Sequence, residues 1–463
     1  MRHFVWLVAL ALAGCVAGPD YQLPDRAVVN APAAQGRFDS GTAPVFRQAP
    51  LPDHWWGLYD DARLDALVGQ ALAANADLRV ADANLRRAEA IVREAETARR
   101  VATSAGGGAT LARPSGTGGA LPGTVGYDLG FSLAYPLDLA GQIRRGIEAA
   151  QADAEAVQAA RDDVRVTVAA ATTRVYAAAC AANQTLAANQ RIVALQRQTL
   201  DVTRRLFRGG RGTAFDVTRA QTALEQSQAQ TPPILAARQA ALYQLGALLG
   251  APPATYPREV ERCAATPALS RPIPIGDGTA LLRRRPDIRA AERQLAAATA
   301  RIGVATADLY PQVSLGGSVG LTGPVASIGR GNDFAVSLGP LVSWSFPNRA
   351  AARARIAQAG AAADAAAAQF DSTTIEALRQ TETALSAYAQ ELDRNRALRL
   401  ARNSAALATD QAGRLYRFGR AGFLDVLTAQ ASLATAEATL AASDAIVIDR
   451  QVDLFLALGG GWR

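Results

Sequence analysis

Lysine is absent from this 463-residue chain, so all 48 basic side chains are arginine. Histidine occurs only at His3 and His54, methionine only at the start, and aromatic residues make up 6% of the sequence. Two histidines supply little for imidazole catalysis or metal ligation. Few aromatics beside long alanine-rich stretches mean that much of the interior must be made of small side chains between closely approaching helices. After the first fifteen residues no run reaches about 18 uninterrupted apolar positions, so no spanning helix is expected. The net charge is +7, but the arginines are scattered without forming a basic arm, and nucleic acid is not indicated as a partner.

What is present begins with an export signal. Arg2 and His3 precede an apolar run from Phe4 to Leu12, which ends in Ala13-Gly14-Cys15. A charged start, a short apolar core and a small-residue exit describe a secretory signal over 1–14. Leu12-Ala13-Gly14-Cys15 resembles a bacterial lipobox, which implies that Cys15 becomes the mature N-terminus carrying diacylglycerol and an N-acyl chain. Val16, in place of Asp, implies sorting to the outer membrane. An ordinary signal with an incidental cysteine is the alternative. Cys180 and Cys263 either pair in an oxidising compartment or serve as small buried hydrophobes.

The chain is duplicated. Phe207-Arg208-Gly209-Gly210-Arg211, with Asp216-Val217 and Ala220-Gln221, returns 209 positions later as Tyr416-Arg417-Phe418-Gly419-Arg420, Asp425-Val426 and Ala429-Gln430. Asp77-Leu78-Arg79 returns at nearly the same offset as Asp287-Ile288-Arg289. A constant spacing over such a distance marks a repeated unit. The expected organisation is an extended N-terminal arm over 15–52, a first copy over 53–250, a Pro-rich linker over 251–280, a second copy over 281–459 and a tail over 460–463.

Each copy carries strands. From Val125 to Leu137 every second residue is large and apolar, and the residues between are small or polar, a strict period of two. The same register returns as Phe334, Val336, Leu338, Val342, Trp344 and Phe346, with Pro340 as the one departure. Preceding Gly-rich runs complete a hairpin in each copy, with strands at about 101–138 and 311–346. Thirteen residues rise about 40 Å, enough to cross a bilayer at a tilt. Four strands cannot close a membrane barrel, which needs about eight, so oligomerisation is expected.

Each copy also carries long helices. Between Ile143 and Phe207 there is no proline, and Ile143, Ile147, Val157, Val164, Val168 and Val175 fall on two heptad positions. Such a helix runs on the order of 100 Å. The helical hairpins are expected over about 141–250 and 350–459.

Lipobox, duplication, barrel hairpins and long helical hairpins together resemble the outer membrane factor family, the TolC-like exit ducts of tripartite efflux pumps. Local matches are Gly18-Pro19-Asp20-Tyr21, Trp55-Trp56, Asn75-Ala76-Asp77-Leu78 and Arg284-Arg285-Pro286-Asp287-Ile288. The resemblance implies a mainly α fold with a membrane β-barrel, in which a homotrimer shares twelve strands and continues as a helical periplasmic tunnel. It further implies a periplasmic adaptor and an inner-membrane resistance-nodulation-division transporter as partners, with drugs or other small molecules passing through. Arg208, Gly210, Arg211, Arg417 and Gly419 would lie at adaptor-docking tips, and Asp216, Tyr416, Arg420 and Asp425 at the pore constriction. Thr428 stands where some relatives have a second acidic residue, and Arg420 sits one place from their basic latch residue. Asp216 and Asp425 equally suit the N-caps of the helices that follow each turn.

Competing classes are a type I protein-secretion duct, which shares the architecture, and a structural envelope coiled-coil lipoprotein, which leaves the strands unexplained. An envelope hydrolase would need a nucleophile with its base, and the mature chain offers one histidine and no nucleophile elbow. No catalytic residue, metal site or soluble cofactor is expected.

Overall fold

A computed structural model describes residues 16–112, 124–328, 333–346 and 349–460. The signal segment, Cys15 and the last three residues lie outside the described residues. The chain runs through helix α1 (Pro32–Gln35), strand β1 (Phe46–Arg47), helices α2 (Ala62–Ala74) and α3 (Ala76–Thr97), and strands β2 (Ala102–Ala112) and β3 (Thr124–Leu137). Helices α4 (Gln142–Arg208), α5 (Ala214–Ala229) and α6 (Thr231–Leu248) follow, then strand β4 (Ile273–Pro274) and helices α7 (Gly278–Arg284) and α8 (Pro286–Ala307). Strands β5 (Gln312–Pro324) and β6 (Phe334–Ser343) and helices α9 (Arg349–Arg417) and α10 (Phe423–Ala457) complete it. Two compact units form, and neither is one copy of the repeat: Met1–Ala27, Ala83–Gln158 and Arg289–Ser372 make one, and Val28–Asp82, Ala159–Ile288 and Thr373–Arg463 the other. Corresponding pieces of the two copies thus pack with each other.

In the first unit the strands form one antiparallel sheet in the order β2-β3-β5-β6. The alternation decides its faces. Leu129, Phe131, Leu133 and Tyr135 of β3, with Val336 and Leu338 of β6, remain exposed on one face. The other face is small: Ser104, Ser132, Ser318 and Ser337 align across all four strands. The serine hydroxyls bond pairwise, Ser104 to Ser132 at 2.7 Å and Ser318 to Ser337 at 2.8 Å. On either side lie rows of Gly106, Gly130, Gly320 and Ala335, and of Ala102, Ala134, Gly316 and Gly339. The sheet is open, with β2 and β6 as edges, and Pro340 is tolerated because β6 is an edge strand. Beyond β3 the Asp138 carboxylate accepts from the backbone N–H groups of Ile143 and Arg144, which starts α4.

The N-terminal segment is not the free arm that its irregular sequence suggests. Ala17 N–H donates to the Ala140 carbonyl, and the Arg145 guanidinium donates to the carbonyls of Ala17 and Gly18 and to Asp20. Arg145 is 3% exposed. Gly18 adopts φ +83°, and a Cβ there would stand 2.5 Å from the Gly303 Cα, so only glycine permits the approach. Further on, Phe38, Phe46 and Leu51 are buried in the second unit, where β1 pairs in parallel with β4. The Pro-rich linker is therefore also part of the body: Val260, Ile273 and Ile275 enter the same core.

That core is centred on Trp55, which stacks on Phe455 at 4.4 Å, both fully buried. Asn75 accepts from the N–H groups of Asp77 and Leu78 and so caps α3, while its own amide reaches the Leu248 carbonyl. Arg285 forks onto Asp287 and donates to the Ala457 carbonyl. These are the physical roles of two motifs picked out by the sequence. Cys180 of α4 is disulfide-bonded to Cys263, tying the connecting segment to the helix.

The two helical returns differ from expectation and from each other. The first breaks at Gln230, ahead of Pro232 and Pro233, whose missing N–H groups fit only a helix start. The second, α10, is unbroken over 35 residues. It is also long and apolar enough, at a mean hydropathy of 1.3, to meet the length and composition of a membrane span, where the sequence reading found none. Its polar stitches to α9 place it in the hairpin instead: Asn395 donates to Ser443 and Asp444, and Arg402 to Glu437.

Candidate functional site

The two interhelical turns, both in the second unit, have one construction. At the first, Gly210 N–H donates to the Phe207 carbonyl and Arg211 N–H reaches back to Leu206 at 2.9 Å. At the second, Gly419 N–H donates to Tyr416 and Arg420 N–H to Leu415 at 2.9 Å. This pair of bonds ends a helix through a residue of positive φ, and Gly210 and Gly419 stand at +69° and +70°. Glycine is there because a side chain would be strained. The turns project Arg208, Arg211, Arg417 and Arg420, all exposed, beside Phe215 and Phe418, which are 66% and 80% exposed.

Each return helix starts after an N-cap, Thr213 or Gly422, and carries its aspartate at the third helical position and not at the N-cap expected for it. Asp216 accepts from the backbone N–H and the hydroxyl of Thr213, and Thr213 in turn accepts from Asp216 N–H, a reciprocal capping box. Asp425 accepts from Gly422 N–H at 2.9 Å, and Gly422 has no side chain to return the bond. Capping is thus the role both carboxylates fill within one chain. Asp425 is exposed and Asp216 half-buried.

Tyr416 is half-buried, with its ring 5.7 Å from that of Phe423. Burial raises its pKa above the ordinary phenol value, the Thr203 hydroxyl acts against that rise, and the Asp216 charge adds to it. Of the four residues assigned to the constriction, Tyr416 and Asp216 therefore share one neighbourhood. Arg420 and Asp425 belong to the second turn. Beneath them Leu200, Ala220, Leu224 and Phe423 form a small apolar cluster joining α4, α5 and α10.

One residue here escaped the sequence reading of the site. Gln430 is 4% exposed and donates from Nε2 to the Thr199 hydroxyl at 2.6 Å, linking the second hairpin to the first. Its repeat partner Gln221 is half-buried and bonds to Arg204 and Glu225. The signal was the Ala-Gln pair that both copies keep, but the sequence does not say which copy is buried.

The sequence pattern of the outer membrane efflux protein family matches residues 67–251 and 279–460, nearly all of both copies. Nodulation protein T of Rhizobium leguminosarum bv. trifolii is 29% identical over 468 residues, covering 100% of this chain and 98% of that protein. Outer membrane protein OprJ of Pseudomonas aeruginosa is 30% identical, covering 98% and 95%. The structure of the outer-membrane channel OprN superimposes with a TM-score of 0.89 at 34% identity, over 97% of this chain and 100% of that one. An open four-stranded sheet, paired helical hairpins and a match across both copies have one reading: the chain belongs to the outer membrane efflux protein family and is the TolC-like outer-membrane channel component of a tripartite efflux pump.

Proposed function

We propose that the chain is a passive duct rather than an enzyme, three copies of which carry drugs or other small molecules outward from an inner-membrane resistance-nodulation-division transporter and its periplasmic adaptor. The observation that carries this reading is the open sheet, with large apolar side chains on one face and serine, glycine and alanine on the other. Three such sheets joined edge to edge give twelve strands, with a lipid-facing exterior and a bore of mostly small side chains to which each chain adds the Asp128 carboxylate. The exposed arginines and phenylalanines of the turns suit docking of an adaptor, with Arg208, Gly210, Arg211, Arg417 and Gly419 at the contact. Tyr416, Asp216 and Arg420 would form the latch, and Asp425, one per chain, would put three negative charges near the axis and favour cations.

Lipidation of Cys15 belongs to the same proposal. Its support is the Arg145 contact with Ala17, Gly18 and Asp20, which fixes the residues just after the cysteine beside the start of α4. Acyl chains on Cys15 would then enter the membrane next to the end of β3.

Purified protein in a planar bilayer tests the duct, and intact-mass measurement tests the lipid. Stepwise conductance from a trimer, and an N-terminal fragment heavier than its peptide by three acyl chains and glycerol, are expected. A monomer without conductance breaks the duct reading, and an unmodified Cys15 breaks the anchor.

A further inference from the structure

Gln430 is built into the seam between the hairpins in an unusual way. Its Nε2 donates to Thr199, but its Oε1 is covered and has no hydrogen-bond partner. Thr199 cannot supply one, because its own hydroxyl proton goes to the Leu195 carbonyl at 3.1 Å. Gln196, three positions earlier on the same helix, is 5% exposed and its Oε1 is likewise without a partner. The buried acceptors of Gln430 and Gln196 are therefore both unpaired, an arrangement that folded chains avoid.

Burial of this glutamine is not a requirement of the repeat. Gln221, its counterpart, sits half-buried with both ends of its amide bonded. The seam is also loosely filled. A hollow of about 420 Å³ lies against Gln430, lined by Thr199, Val202, Thr409, Tyr416 and Val426. Parting of α10 from α4 at the turn end would break the Gln430–Thr199 hydrogen bond and give water to the Gln430 carbonyl oxygen, while Arg191 with Glu437 and Arg174 with Asp453 hold the same two helices farther from the turns.

We propose that Gln430 is a positioning residue for gating, which holds the second hairpin to the first through a half-satisfied contact and so keeps the closed packing easy to leave. This rests on the duct reading above. The capping aspartates stabilise each return helix's own start, whereas Gln430 bridges the two hairpins nearest their turns, beyond the Arg191–Glu437 and Arg174–Asp453 pairs, and biases the parting of that end.

Two variants of the full-length trimer test it, read by single-channel recording and by thermal unfolding. Gln430→Leu keeps the volume and removes the unpaired oxygen. It is expected to lower the opening frequency about five-fold and to raise the unfolding midpoint. Gln430→Glu buries a carboxylate at the same point, and both readouts are expected to move the opposite way. A Leu variant that opens as often as the native protein, or more often, overturns the proposal, as does an unfolding midpoint at or below the native one. Absence of conductance in the native trimer would break the duct reading instead, and the unfolding midpoints would still decide the role of Gln430.

Discussion

The two helical hairpins descend from one sequence and are not held in the same way. The first is broken on its return at Gln230, is tied to the segment between the copies by the Cys180–Cys263 disulfide, and has side-chain bonds between its arms from Arg204 to Gln221, Asn189 to Ser227 and Thr231, and Arg238 to Asn183. The second returns without a break and is stitched along its length by side chains, Asn395 to Ser443 and Asp444, Arg402 to Glu437, and Thr409 to the Ala429 carbonyl. A covalent tie fixes one point and leaves the remainder of a helix free to adjust. A ladder of buried polar contacts fixes register along the whole seam, because each slip would strand several groups without partners. The first hairpin thus adds a covalent tie and a broken return to its polar contacts, and the second relies on polar contacts along an unbroken return.

The largest test of that difference removes the covalent tie. Reduction, or the Cys180→Ala/Cys263→Ala pair, frees a loop of 83 residues and is expected to cost about 4 kcal/mol of stability on the chain-entropy account. Hydrogen exchange should show the loss concentrated in α4, α5 and α6. Equal loosening of α9 and α10 would mean that the hairpins are not held independently.

The caps give a smaller effect and separate folding from conduction. Asp216→Ala and Asp425→Ala should each cost about 1 kcal/mol of helix stability. Asp425→Ala alone should raise conductance or reduce cation preference without harming trimer assembly, since Asp425 is exposed and Asp216 is held by Thr213. Unchanged conductance and ion selectivity in the Asp425 variant would remove it from the pore.

The smallest effect is a pH dependence. In the first hairpin the Tyr176 hydroxyl is pushed up to about 12, by burial and then by its hydrogen bond to Asp61. A pKa higher in the folded than in the unfolded chain means that its contribution is complete below about 10 and is lost as the pH rises through about 12. Unfolding midpoints measured over that window should fall less steeply in Tyr176→Phe. An identical slope would assign the alkaline loss to other groups.

Much of the architecture was legible because its signals are local. Alternation from Val125 to Leu137 gives a strand wherever it lies, and the absence of proline from Ile143 to Phe207 allows one long helix. Gly210 and Gly419 mark the turns because positive φ admits little else. The break at Gln230 was also written locally, in Pro232-Pro233, but the long-helix pattern of the first arm obscured it. What could not be read depends on contacts distant in sequence. The two-residue pairing of Phe46–Arg47 with Ile273–Pro274 has no periodicity to detect, and nothing in either irregular segment announces the other. Arg145 looks like any of the 48 arginines until the chain brings Asp20 to it. Gln221 and Gln430 sit in the same short motif, and only the packing around the second hairpin leaves one half-buried and makes the other core.

The serine row across the sheet bears on how a cargo would leave. Its hydroxyls are already bonded to one another, and the rows on either side offer only hydrogen and methyl groups. A solute passing that level meets one free hydroxyl donor per serine pair and the edge of Leu341, with the Asp128 carboxylate one row beyond the glycines, so little there lengthens its stay. Direction is then set by the steady supply from behind and by dilution outside, and an outlet of this kind stays clear of molecules as different from one another as a pump can load.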